Sequence, residues 1–78
     1  MPHVLVADGD GTSLQHTVSL LEQARYQVSR ASDGKSAMRV FTSQTPDLVL
    51  IEALLPDQEG FELCRRIRRM DDVKGVPI

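Results

Sequence analysis

Two short apolar runs, Val4 to Ala7 and Leu48 to Ile51, each stop at an acidic residue, Asp8 and Glu52. Four apolar residues in succession, with no polar alternation, are the mark of a parallel strand covered on both faces. Parallel strands need crossover connections, and helices are the usual ones, so this chain is directed toward alternating strands and helices. The acidic residues then stand at the carboxyl ends of two strands, where open α/β sheets carry their chemistry.

The segments between the runs fit that scheme. After the polar loop Asp8-Gly9-Asp10-Gly11, Thr12 or Ser13 is the expected cap of a first helix, along which Leu14, Val18, Leu21 and Ala24 recur at helical spacing. Tyr26 to Ala31 alternates less cleanly and is expected to be a strand nearer an edge. Ser32-Asp33-Gly34 is turn chemistry, and Ala37, Met38 and Phe41 define a second short amphipathic helix. Thr45-Pro46 ends it, because the residue before proline is pushed out of helical geometry. Gln58 to Met70 is the expected third helix, with Phe61, Cys64 and Ile67 on its apolar stripe and Leu63 and Met70 beside it. Asp71 to Gly75 reads as a loop, and Val76-Pro77-Ile78 as the opening of a fourth strand. In a flavodoxin-like order the Leu48–Ile51 strand would leave an open apolar edge, so pairing with a second copy, or a longer chain, is expected.

With 78 residues there is room for one small domain. Nine basic against eleven acidic side chains give no overall attraction to nucleic acid or anionic membrane. The single cysteine, Cys64, excludes an internal disulfide and suits a reducing cytoplasm, and it is read as a small core residue. No apolar stretch approaches the ~20 residues of a membrane helix. His3 and His16 lack partners at metal or dyad spacing and are read as edge or surface residues. Arg65-Arg66-Ile67-Arg68-Arg69 forms a solvated helix face able to pair with Glu62 and Asp72, and nucleic-acid binding by it is not the expectation.

In a 2-1-3 strand order, Asp8 and Asp10 after the first strand and Glu52 after the third would converge above one sheet edge. Clustered carboxylates at such a place suit Mg²⁺, a hard cation that takes oxygen ligands and bridges to phosphate. For Asp10 alone, capping of the first helix is the expected role.

Val-Leu-Val-Ala-Asp-Gly-Asp at 4–10, Ala-Ser-Asp-Gly-Lys-Ser-Ala at 31–37, Pro-Asp-Leu-Val-Leu-Ile-Glu at 46–52 and Leu-Leu-Pro-Asp-Gln-Glu-Gly-Phe-Glu-Leu-Cys-Arg-Arg-Ile-Arg at 54–68 together resemble the response-regulator receiver domain of two-component signalling. The resemblance covers essentially the whole chain without a gap. It implies an α/β, flavodoxin-like doubly wound parallel sheet, the receiver fold, truncated after the third helix, with residues 1–78 forming the N-terminal part of that domain. It places Asp8 at the first acidic-pocket position, Gly9 at the second, which is the direct metal ligand, and Glu52 at the phosphoacceptor. Leu54 falls where a backbone carbonyl binds the metal, and Pro56 and Gly60 fall in the loop-shaping turn. The family's switch hydroxyl and lysine would lie beyond Ile78.

Gly9 has no side chain to offer, and Glu52 is one methylene longer than aspartate. The expected function is therefore a pseudo-receiver that signals through protein contacts and is not itself an enzyme. The alternative is a genuine phosphoacceptor using Glu52, with Asp8 and Asp10 holding Mg²⁺. No resident cofactor is expected, and Mg²⁺ only weakly at Asp8, Glu52 and the Leu54 carbonyl. Expected partners are a histidine kinase, a downstream signalling protein or an output domain in a longer chain, with self-association through the open edge and no membrane.

Overall fold

The computed structural model describes residues 2–53 and 55–70. Its elements run β1 (His3–Ala7), α1 (Gly11–Gln23), β2 (Gln27–Ala31), α2 (Gly34–Gln44), β3 (Leu48–Ile51) and α3 (Gly60–Met70). All three strands are parallel, in the order β2-β1-β3. The alternating α/β plan and the 2-1-3 order expected from the sequence are both present. The expected loop at Asp71–Gly75 and strand opening at Val76–Ile78 lie outside the described residues.

The continuous apolarity of β1 follows from its central position, with β2 on one side and β3 on the other. Leu5 and Ala7 point to one face and join Ala31, Ala37, Phe41, Val49, Leu55, Leu63 and Ile67 in a core beneath α2 and α3. Val4 and Val6 point to the other face and pack with Leu14 and Val18 of α1. One strand thus supplies both cores, through the two-residue period of its side chains. Among the described strands β3 lies at the sheet margin opposite β2, with Leu50 37% exposed.

Several boundaries differ from the sequence reading. The cap of α1 is Asp10, not Thr12 or Ser13, and the helix begins at Gly11. Leu14 and Val18 are buried, Leu21 is half-buried, and Ala24 is exposed at the C-cap. Arg25 follows in the left-handed region at φ 69°, which turns the chain into β2. Tyr26 stands before β2 and is exposed. The alternation expected there fails at Arg30, which is also exposed, while Ser29 is half-buried. Ser29 is polar on that strand because its hydroxyl bonds His3 Nε2 at 2.7 Å and Gln44 Oε1 at 3.0 Å.

In α3 the buried line is Gly60, Leu63 and Ile67, not Phe61, Cys64 and Ile67. The helix starts two residues later than Gln58, because Gly60 N–H bonds the carbonyl of Ala53 at 2.7 Å and fixes the entry there. Leu63 and Ile67, four apart, then face the sheet. Phe61 lies about 200° around the helix from Leu63 and is 73% exposed. Cys64 is half-buried beside the stripe, and Met70 is exposed. In α2 the expected residues are inside: Ala37 and Phe41 are buried and Met38 is half-buried. Thr45, at φ 39°, ends that helix before the buried Pro46.

Candidate functional site

The carboxyl ends of β1 and β3 are tied together by backbone. Glu52 N–H bonds the Ala7 carbonyl at 2.8 Å, and Asp8 N–H bonds the Ala31 carbonyl at 3.0 Å. Asp8 therefore stands at the junction of all three strands and is only 7% exposed. Asp8 and Glu52 line one cleft, whose far wall is Ser13 and Thr17 of α1. The sequence brought Asp8 and Glu52 to this edge, and the structure places them there. Ser13 and Thr17 carry no motif, and only helical spacing from the Asp10 cap puts them on the cleft side.

The third carboxylate does not join them. Asp10 Oδ1 accepts the N–H of Thr12 at 3.1 Å as the cap of α1. Its own N–H donates to Asp8 Oδ1 at 2.9 Å. Glu52 Oε1 turns back to accept the N–H of Ala53 at 2.9 Å. Each carboxylate is thus engaged with local backbone donors. Among the described residues no group of three His, Cys, Asp or Glu side chains is placed to hold a metal ion. Of the side chains that the receiver resemblance assigns to Mg²⁺, Asp8 and Glu52 line the cleft, and Gly9 has none to offer.

Gly9 sits between the two acids and faces the loop after β3. A β-carbon built on it would lie 2.7 Å from Pro56 Cδ and 3.1 Å from Pro56 Cγ. The loop is fixed on both sides of Pro56. Leu55 is buried and its N–H bonds the Gln58 carbonyl at 3.1 Å. The Asp57 carboxylate accepts the N–H groups of Gly34 at 2.7 Å and Lys35 at 3.0 Å. Asp33 takes the next one, from Ser36, at 2.7 Å, so three of the free donors in the first turn of α2 are satisfied. The Gly34 hydrogen bond, first among several causes, holds the Asp57 carboxyl below its ordinary value. Gly60 closes the loop, since a β-carbon there would collide with the carbonyl oxygen of Glu52. The role of Asp57 has no local sequence signal, because its partner Gly34 is more than twenty residues upstream. The Leu54 carbonyl lies outside the described residues.

The remaining expected residues are peripheral. His3 bonds Ser29 and His16 is exposed on α1. On α3, Arg65 pairs with Glu62 at 2.6 Å and holds the Glu62 carboxyl below its ordinary value, while Arg66 reaches Gln58 Oε1 at 3.3 Å. Asp72, the other expected acid, is outside the described residues.

A parallel 2-1-3 sheet with acids at the ends of its first and third strands defines a receiver-type α/β domain. The family model for the response regulator receiver domain matches residues 4–78. The chain belongs to that family. It is similar to the DNA-binding dual master transcriptional regulator RpaA of Synechocystis sp., at 34% identity over 100% of this chain and 32% of that protein. It is also similar to the CAI-1 autoinducer sensor kinase/phosphatase CqsS of Vibrio cholerae, at 37% identity over 96% of this chain and 11% of that protein. Among solved structures, chemotaxis response regulator CheY4 of Vibrio cholerae superposes with a TM-score of 0.94 at 28% identity, covering 100% of this chain and 65% of that one. The receiver domain of a signal transduction histidine kinase from Syntrophus aciditrophicus gives 0.90 at 27% identity, covering 99% and 58%. The chain thus spans about a third or less of the curated relatives it matches. Receiver domains are signalling modules of two-component systems. No helix among the described residues is long and apolar enough to cross a membrane.

Proposed function

We propose that this chain acts in two-component signalling as a pseudo-receiver, a contact module that keeps the receiver frame but has an eroded phosphorylation pocket. The observation that carries this reading is the state of three positions at the cleft. Gly9 stands where a metal-binding acid would be and has no donor; Asp10 is engaged as a helix cap; Glu52 replaces the shorter phosphoacceptor and folds back on Ala53.

Acyl-phosphate formation needs a carboxylate oxygen in line with a phosphoryl group, and positioning supplies most of the rate. A displacement of ~1 Å, about what one methylene introduces, costs roughly a hundredfold. In this reading Asp8 is the surviving acidic-pocket residue, Glu52 is an anion in the phosphoacceptor place that partly imitates the modified state, and Pro56 and Gly60 shape the loop beside it. A Mg²⁺ ion would meet Asp8, Glu52 and the Leu54 carbonyl only weakly. The partners are a histidine kinase, a downstream signalling protein or an output domain of a longer chain. The relatives, which include transcriptional regulators and a sensor kinase, support that range.

The competing reading makes Glu52 a genuine phosphoacceptor with Asp8 and Asp10 holding Mg²⁺. Incubation with acetyl phosphate and Mg²⁺, followed by a Phos-tag gel, separates the two. The pseudo-receiver gives no shifted band. A stoichiometric, acid-labile band removed by Glu52→Gln establishes the phosphoacceptor instead.

A further inference from the structure

We propose that the outer face of α2 and α3 is a docking surface for a carboxylate-rich segment of a partner protein. This face is separate from the cleft, and its role holds whether or not Glu52 accepts a phosphoryl group. The two helices lie side by side over one core. Lys35 and Arg39 of α2 and Arg65, Arg66, Arg68 and Arg69 of α3 are all exposed, and they are six of the chain's nine basic side chains. α2 has no acid and α3 has only Glu62, while α1, on the other side of the sheet, has neither Lys nor Arg. The net charge of −2 therefore conceals one strongly positive face.

The face already holds one carboxylate in the manner proposed. Glu62 is bonded by Arg65 at 2.6 Å, and its carboxyl is held below the ordinary value by Arg65 first and then by Arg69 and Arg66. Arg66 also reaches Gln58 Oε1 at 3.3 Å, and the Gln58 side chain packs on Gly34 at the start of α2, so the cations of the two helices form one surface. Among the described residues only Arg65 is in an ion pair, which leaves the other five cations available. Five of the six are arginines, whose planar fork matches a carboxylate with two hydrogen bonds. Phe61, 73% exposed, and Met70, 47% exposed, add apolar contact on α3, and Phe, Met and Arg are the side chains that protein interfaces favour. A nucleic acid suits the face less well. Asp33, Asp57 and Glu59 stand at the amino-terminal ends of the two helices and Glu62 among the arginines. Those acids repel a continuous phosphate ladder, whereas separate carboxylates on a protein segment can lie between them.

Two measurements on the intact protein test this, with a fluorescein-labelled oligoglutamate peptide interrupted by leucine as the probe and labelled duplex DNA as the competing ligand. In fluorescence anisotropy at about 0.15 M salt the peptide should bind saturably and more tightly than the duplex. Arg66→Gln with Arg69→Gln should weaken it by about tenfold. Arg25→Gln with Arg30→Gln, which removes the same charge elsewhere, should leave it within about twofold. Absence of peptide binding, tighter binding of the duplex, or equal losses in the two double variants overturns the proposal. The second measurement needs no variant. Unlabelled peptide titrated into the unmodified protein should move the amide resonances of Lys35, Arg39, Arg66 and Arg69. Shifts confined to α1 or to the cleft at Asp8 and Glu52 overturn the proposal. The pseudo-receiver reading stands or falls separately, on phosphorylation at Glu52.

Discussion

The Asp57 carboxylate accepts the N–H groups of Gly34 at 2.7 Å and Lys35 at 3.0 Å, tying the loop after β3 to the first turn of α2. The negative charge at a helix N-terminus is favourable for the same reason that the amides are available: neither is satisfied by the helix itself. This single side chain links the loop next to Glu52 to an element that the sequence places elsewhere.

The Asp57 contact should be visible in the pH dependence of stability. Its folded carboxyl titrates below the ordinary 3.8, chiefly because of the Gly34 hydrogen bond. The unfolded chain therefore takes up this proton first as pH falls. The stabilisation is complete above the ordinary value and is lost as pH drops below it and through the lower folded value. Asp57→Asn should flatten that acid limb of a Tm–pH curve and lower Tm at neutral pH. Because Asp57 faces solvent, added salt should shrink the difference. A limb of unchanged slope would show that the contact carries no stability.

Two glycines near the site should respond differently to alanine. At Gly60 the new methyl meets the backbone carbonyl of Glu52, which cannot move without disturbing the end of β3. Gly60→Ala should cost about 1–3 kcal/mol. At Gly34 the obstacle is the side chain of Gln58, which can swing away. Gly34→Ala should cost clearly less in the same chemical denaturation experiment.

The orientation of α3 has its own test. Leu63 is fully buried and Phe61 is largely exposed. Leu63→Ala should destabilise by about 2–5 kcal/mol. Phe61→Ala should remain within about 0.5 kcal/mol of the parent. The reverse order would mean that the apolar stripe inferred from the sequence, and not the line through Leu63, faces the core.

The contrast between those two residues shows what the sequence could reveal. Continuous apolarity marked β1 and β3, and the position of Asp8 and Glu52 at their ends followed directly from strand geometry. The α2 core was equally plain in Ala37 and Phe41. On α3 several apolar residues competed for one face, and the phase was decided by a contact the sequence does not display, Gly60 N–H on the Ala53 carbonyl. The Asp10 cap was legible only as one role among two. The clamp by Asp57 and the closeness of Pro56 to Gly9 depend on how loops from distant parts of the chain meet, and no local pattern encodes that.

A beryllofluoride titration with Mg²⁺, read by ¹⁹F NMR, addresses the central claim most directly, since that adduct needs a carboxylate oxygen and a divalent cation at one point. The pseudo-receiver account predicts only free fluoroberyllate signals and undisturbed amides at Asp8, Glu52 and Ala53. A stoichiometric, Mg²⁺-dependent bound signal that disappears in Glu52→Gln would contradict it.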